Sequence, residues 1–334
     1  MWIQYNTSHY RVYNTQIFIP WHWVDGRMAQ SESGSGTADP PETARAVTFT
    51  FLKGGSSKTT LAVNTARHLA ERNGPGSTVF IDLDPNGHAT RNYDYGYSEL
   101  YEKEIGLRDV ILGSEPGGAP HSLSFKTEFG FDIIPSTQRH EGIEESLSNE
   151  MASFARIRGR IVSELLGSEY QYIVIDTPSS VGEFTYNGVF ASDGLILPLL
   201  PAGETTNALQ RTQSRLVKPL EEQGEDVNIL AMVPNMLSQR IDQQTTDREL
   251  LEGINSDSGL THLIPDFARI TEDEFEAIDA GEMTPPKPGI REAKPILRGM
   301  RDYGLPLLDH KPTHPQNDHF DELAKIVEQG GVKR

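Results

Sequence analysis

The segment Lys53-Gly54-Gly55-Ser56-Ser57-Lys58-Thr59-Thr60 constrains this chain more than any other. It follows an apolar run, Ala46-Val47-Thr48-Phe49-Thr50-Phe51-Leu52, and leads into a helical pattern that starts at Thr59. That pattern places Ala62, Ala66, Leu69 and Ala70 on one face. A strand, a loop of small residues and a helix entrance carrying a lysine make a cradle for polyphosphate. Backbone N–H groups of such a loop converge on phosphate oxygens, and the helix dipole adds positive potential. In this arrangement Lys58 reaches the β- and γ-phosphates and the Thr59 hydroxyl ligates Mg²⁺. A Gly/Ser linker needs neither a lysine and two threonines at its exit nor a buried strand and an amphipathic helix beside it.

Two further apolar runs end in acids. Thr78-Val79-Phe80-Ile81-Asp82-Leu83-Asp84 precedes Pro85-Asn86-Gly87-His88-Ala89-Thr90, and Tyr172-Ile173-Val174-Ile175-Asp176 precedes Thr177-Pro178. The second reads as a buried parallel strand with a carboxylate at its C-terminal edge, where open α/β sheets bind ligands. Additional strands are expected at 195–200, 227–233 and around 263–264, with helices near 204–222 and 242–254. This alternation predicts an α/β fold, a single doubly wound, mostly parallel sheet flanked by helices.

A strict Walker A motif would place glycine at 52 and 57, where this chain has Leu52 and Ser57. The segment instead resembles the deviant form, Lys-Gly-Gly-x-Gly-Lys-Thr-Thr, of the ParA/MinD family of P-loop ATPases, with Ser57 as the one departure. The resemblance spans about 45–329 and is closest to the ParA/Soj partition ATPases. It implies that Lys53 is the signature lysine, which crosses a nucleotide-sandwich dimer to the partner's phosphates. Gly54, Gly55, Ser56, Ser57, Lys58, Thr59 and Thr60 would hold the nucleotide, with Asn235 at the adenine ring. Lys53, Lys58 and Asp84 become the catalytic residues, Asp84 positioning or activating water. Thr59, Asp82 and Asp176 belong to the Mg²⁺ site, Asp176 in the Walker B role. Residues 181–187 resemble the switch that senses the γ-phosphate, and 281–296 form a Pro-rich loop longer than usual. If position 57 requires positive φ, serine there costs about 1 kcal/mol or more.

Composition limits the alternatives. The chain has 334 residues and no cysteine. The lack of cysteine excludes disulfides, iron–sulfur carriers and the cysteine-dependent amidoligases of related fold. Its net charge is −18, with 48 acids against 30 basic residues, a balance that suggests a salt-in halophile. Residues 1–27 hold all three tryptophans and a single acid, Asp25. They are expected to be a doubtful extension ahead of a start at Met28, with 28–44 a disordered lead-in and 45–330 the ATPase domain. His310, His314 and His319, with Asp309 and Asp318, are expected in a polar connector rather than around a metal.

The resemblance implies ATP-dependent homodimerisation, nonspecific DNA binding and a ParB-like or other adaptor that stimulates hydrolysis. The expected location is cytoplasmic and nucleoid-associated, with no membrane partner. DNA contact is expected from Arg291, Lys294, Arg298 and Arg301, with Arg211, Arg215 and Lys218 as a second cluster. A MinD-like membrane switch is the first alternative. The last helix sets Phe320, Leu323, Ile326 and Val327 against a mixed-to-acidic face, which suits core packing. A nucleotide-binding switch with little turnover is the second.

Overall fold

The computed structural model describes residues 44–92, 106–112, 120–136, 153–201, 204–238 and 245–333. The extension over 1–27 and nearly all of the lead-in over 28–44 therefore lie outside the described residues.

Among the described residues, seven strands form one sheet in the order β3-β4-β2-β5-β1-β6-β7. They are β1 (Arg45–Phe49), β2 (Thr78–Asp82), β3 (Phe125–Lys126), β4 (Asp132–Ile134), β5 (Tyr172–Asp176), β6 (Gly194–Leu199) and β7 (Ile229–Pro234). All pairings are parallel except β3 with β4 at the edge. The helices are α1 (Lys58–Asn73), α2 (His88–Asn92), α3 (Leu107–Leu112), α4 (Ser163–Leu165), α5 (Glu183–Ala191), α6 (Glu204–Thr212), α7 (Lys218–Glu221), α8 (Thr245–Ser256), α9 (Glu272–Asp279), α10 (Lys294–Tyr303), α11 (Leu307–His310) and α12 (Gln316–Gln329).

Period-two alternation assigns each strand residue to a face. Val47, Phe49, Phe80, Tyr172 and Val174 point to the side covered by α1 and α12, where Leu61, Leu69, Phe320, Leu323 and Val327 close the core. Ala46, Val79, Ile81, Ile173 and Ile175 point to the opposite side, against Ile161, Leu165 and Phe184. Because both faces are covered, every residue of β2 and β5 is buried, and their sequences read as continuous apolar runs ended by an acid. The apolar side of α12 is consumed by this packing, since Phe320, Leu323, Ile326 and Val327 are all buried.

Three expectations need revision. The strand expected around 263–264 is a short 3₁₀ turn, Thr261–Leu263, because Pro265 follows and leaves too short a run for a ladder. The short strands β3 and β4 went unrecognised in the sequence. The helix expected over 204–222 is α6 and α7 joined by a π segment, Gln213–Val217.

Close approach of α5 to β5 fixes the layer behind the functional edge. A Cβ at Gly188 would lie 2.5 Å from Thr177 Cγ2 and 3.3 Å from Leu83 Cδ1, and Thr48 Oγ1 donates to the Gly188 carbonyl at 2.6 Å. Gly188→Ala should therefore cost about 1–3 kcal/mol through overpacking. Urea unfolding checks this as a lower midpoint at unchanged slope.

Candidate nucleotide-binding site

The interior strand β1 feeds the Gly-rich loop, and its neighbour β5, the middle strand of the sheet, brings Asp176 level with Phe49. On the other side of β5, the register pairs Asp82 of β2 directly with Asp176. Two carboxylates thus stand side by side at the C-terminal edge of the sheet, both fully buried. The loop above them starts with Lys53, partly exposed at its rim, and continues through exposed Gly54 and Gly55. Gly55 takes φ of 73°, a left-handed conformation that costs glycine least. Ser57 also adopts φ of 56° and enters α1 without a side-chain cap. Position 57 thus meets the condition, positive φ, on which the expected cost of serine there depends.

Lys58 begins α1 and is only 7% exposed. Burial lowers its pKa, and the charges of Asp176 and Asp84 oppose that shift. Thr59 Oγ1 donates to Asp176 Oδ2 at 2.6 Å. Thr60 lies in the first turn of α1, where its carbonyl accepts from Asn64 Nδ2 at 2.8 Å. Asp176 has its pKa pushed up to about 8, by burial first and by neighbouring Asp82 second, with Lys58 and the Thr59 hydrogen bond pulling it down. Asp176 Oδ1 is buried with no hydrogen-bond partner, as are the hydroxyls of Ser56 and Thr50. An orphaned carboxylate oxygen beside a threonine hydroxyl fits a hard divalent cation, and an exposed Gly54-Gly55 loop leading into a helix that opens on Lys58 fits phosphate.

Asp82 is arranged differently. Its Oδ2 accepts from both the N–H and the hydroxyl of Thr90, at 2.9 and 2.8 Å, and its Oδ1 accepts the Asp84 N–H at 3.2 Å. Burial still raises its pKa to about 6. Asp82 thus anchors the Asp84 loop, with hydrogen bonds already on both oxygens. Asp84 Oδ1 accepts from the Asn86 N–H and amide at 2.9 Å each, while Oδ2 lies 4.0 Å from His88 Nδ1. Gly87 N–H and Ser136 Oγ both bind the Asp84 carbonyl at 2.7 Å, fixing the turn. Thr90 and Ser136 carry no motif signal in the sequence. An acid followed eight residues later by threonine is too weak a signal to find them.

Asn235 follows β7, is buried, and donates from Nδ2 to the Ser56 carbonyl at 2.7 Å. The structure therefore makes it a strut of the loop. The expected basic cluster is corrected at one position. Arg291 is only 3% exposed, with its guanidinium directed at the carbonyls of Ser238 and Pro286, so it is no surface for DNA phosphate. Lys294, Arg298 and Arg301 are exposed on α10 around Leu297, itself 42% exposed. Arg211, Arg215 and Lys218 are exposed along the second cluster. Of the histidines expected in a connector, His310 instead closes α11, and His319 lies within α12 and stacks on Phe267 at 4.6 Å. Among the described residues no group of three His, Asp or Glu side chains could hold a metal, and no helix is long and apolar enough to cross a membrane.

Asp176→Asn keeps an acceptor for Thr59 and removes the charge. Asp176 has a folded pKa near 8 against an ordinary value of 3.8. Its ionisation therefore penalises the ligand-free fold increasingly as pH rises from about 4 to about 8. The variant should match the parent near pH 4 and be more stable by at least about 1 kcal/mol at pH 8, roughly 2–4 °C in Tm. A Tm difference that ignores pH would show that Asp176 does not carry the buried titration.

Residues 44–226, more than half of the chain's 334, match the family model AAA_31, described as an AAA domain. Chromosome partitioning protein ParA of Caulobacter vibrioides is 30% identical over 159 residues, 46% of this chain and 55% of that protein. The chain spans about half the length of the curated relatives it matches first. McdA of Cyanothece, solved as an ATP complex, aligns with a TM-score of 0.63 at 20% identity, over 88% of this chain and 99% of that one. Cobyrinic acid a,c-diamide synthase of Mycobacterium smegmatis, solved with ADP and magnesium, aligns with a TM-score of 0.57 at 20% identity, over 81% and 96%. These structural likenesses establish the shared fold, and the domain match with the loop geometry establishes the family: the chain belongs to the AAA-domain P-loop ATPases of ParA/MinD type.

Proposed function

We propose that this chain is a ParA-type ATPase. It binds Mg-ATP and forms a nucleotide-sandwich homodimer that contacts DNA without sequence preference. An adaptor of ParB type, carrying a plasmid, a chromosome region or a protein assembly, stimulates hydrolysis and releases it. The proposed location is the cytoplasmic nucleoid. One observation carries the reading. Lys58, Thr59, Asp84 and Asp176 converge at the C-terminal edge of three adjacent strands, beneath a loop with left-handed residues at 55 and 57.

The ligand-free electrostatics suit this role. Burial disfavours the charged forms of both Lys58 and Asp176. Incoming phosphate favours the charged lysine, and an incoming cation favours the carboxylate. Each ligand therefore offsets the burial cost of the group it meets. Thr59 and Asp176 would hold Mg²⁺, which when bound neutralises charge on the β- and γ-phosphate oxygens. Asp82 supports this site through the Asp84 backbone. Gly54, Gly55, Ser56, Ser57, Lys58 and Thr60 would wrap the phosphates, and Asn235 is the proposed adenine contact as well as a strut. Asp84 orients the water that attacks the γ-phosphorus. The bond to the β–γ bridging oxygen breaks, giving ADP and phosphate. Lys58 and the partner's Lys53 stabilise the charge that develops.

Light scattering of the full chain in molar KCl, with Mg-ATP or Mg-ADP, tests the dimer. Mass should double with ATP alone in the parent and in Asp84→Ala, and should stay monomeric in Lys53→Ala. Asp84→Ala should bind ATP within about two-fold of the parent yet lose 10²-fold or more of turnover. A mass that ignores nucleotide would overturn the reading.

The exposed face of α10 is the proposed DNA surface. Arg298 and Arg301 share a single carboxylate, Asp302, at 3.5 and 3.0 Å. Exposed pairs of this kind exchange readily for phosphate. Replacing both arginines by glutamine should weaken duplex binding uniformly across sequences and lower the salt slope by about 2. Titrations at several KCl concentrations check it.

A further inference from the structure

Among the described residues, Ser57 and Met236 are the non-glycine residues with positive φ, at 56° and 58°. They lie 179 positions apart and touch: Ser57 Oγ donates to Met236 Sδ at 3.2 Å. A left-handed backbone costs an ordinary L-residue about 1–2 kcal/mol. It persists only where the surroundings over-determine it, which is most often at functional sites.

The surroundings of Met236 do this from both sides. Its predecessor Asn235 is fixed by its N–H to the Leu199 carbonyl at 2.7 Å and by its side chain to the Ser56 carbonyl at 2.7 Å. Its successor Leu237 is fully buried, donates to the Ile290 carbonyl at 3.1 Å and accepts from Glu292 N–H at 2.8 Å. Ile290 N–H returns to the Pro234 carbonyl at 2.8 Å. The Pro-rich segment therefore clamps the turn after β7, and the turn presents the methionine sulfur to the phosphate loop.

Serine at the entrance of a helix ordinarily accepts a hydrogen bond from an amide two or three residues on, satisfying one of the open N–H groups. Here Ser57 makes no such cap. Its hydroxyl is a donor to sulfur, a weak acceptor whose contribution is positional. The amides at the start of α1 are those an anion would use.

We infer that Met236 is a positioning residue for the phosphate loop: it holds the Ser57 hydroxyl away from the first amides of α1 and so keeps them open for nucleotide phosphate. The inference rests on the nucleotide-binding reading above. It also explains how the chain tolerates serine where the resembling motif has glycine. Without the sulfur, Ser57 would turn and cap its own helix, competing with the ligand.

Calorimetric titration of the full chain with Mg-ATP tests this, using Met236→Leu, Met236→Gln, Ser57→Gly and the Ser57→Gly/Met236→Leu double variant. Leucine keeps the bulk and removes the acceptor, and should weaken binding about five-fold, while glutamine restores an acceptor and should bind within about two-fold of the parent. In the Ser57→Gly background, Met236→Leu should change affinity by less than about two-fold, since no hydroxyl remains to compete. The ligand-free Tm of Met236→Leu should equal or exceed the parent's, because a capped helix gains stability. A loss of affinity of the same size in both backgrounds would mean simple structural damage and would overturn the inference, as would no loss in either. A parent that fails to bind Mg-ATP would instead overturn the nucleotide reading itself, and the inference with it.

Discussion

Asp82 and Asp176 are neighbours in the register of a sheet buried on both faces, and the functional edge is organised around the cost of that placement. Two carboxylates so placed cannot both ionise freely, because burial and mutual repulsion act in the same direction. The fold resolves the conflict asymmetrically. Thr90 and the Asp84 backbone satisfy Asp82 by hydrogen bonding and turn it into an anchor. Asp176 keeps one oxygen on Thr59 and leaves the other without a partner. Lys58 compensates partly, at the expense of its own desolvation. Such a site is poised for a cation and an anion together, and it is least favourable with neither.

Much of this was legible in the sequence because it follows from short-range pattern. Five of the seven strands announce themselves as apolar runs. Both acids close theirs, and the Lys-Thr pair opens the helix whose apolar stripe packs on the sheet. At position 57 the sequence left the backbone conformation open, and the fold supplies it with φ of 56°. What escaped depends on distant chain. Arg291 lies near three surface cations in sequence, yet the bridge between Leu237 and Arg291 draws it under the loop, where carbonyls surround it. A period-based reading cannot see that, because 281–293 has no period. The strands β3 and β4 are two and three residues long, too short to register above background. Met236 carries no signal at all, since nothing local distinguishes a methionine with positive φ.

Net charge and local charge serve different ends here. A net charge of −18 creates a long-range field that opposes approach to any polyanion. At molar salt that field is screened within about 3 Å, so only cations in contact count. Helix α10 meets this condition: Lys294, Arg298 and Arg301 are exposed on one helix, with Leu297 and Tyr303 exposed among them. The buried side of the same helix, Ile296 and Met300, joins the core that α1 and α12 share. Helix α10 thus packs into the same core as the helix that starts at Lys58.

The same continuity runs through the phosphate loop from the other side. Glycine at position 57 would adopt the left-handed backbone at little cost and would need no support. Serine needs support, and the chain supplies it from the turn after β7, which is itself held by the Pro-rich segment through Ile290 and Leu237. One substitution in the loop thus enlists two further segments in its geometry. Serine at position 57 ties the phosphate loop to the turn after β7 and, through Leu237 and Ile290, to the Pro-rich segment.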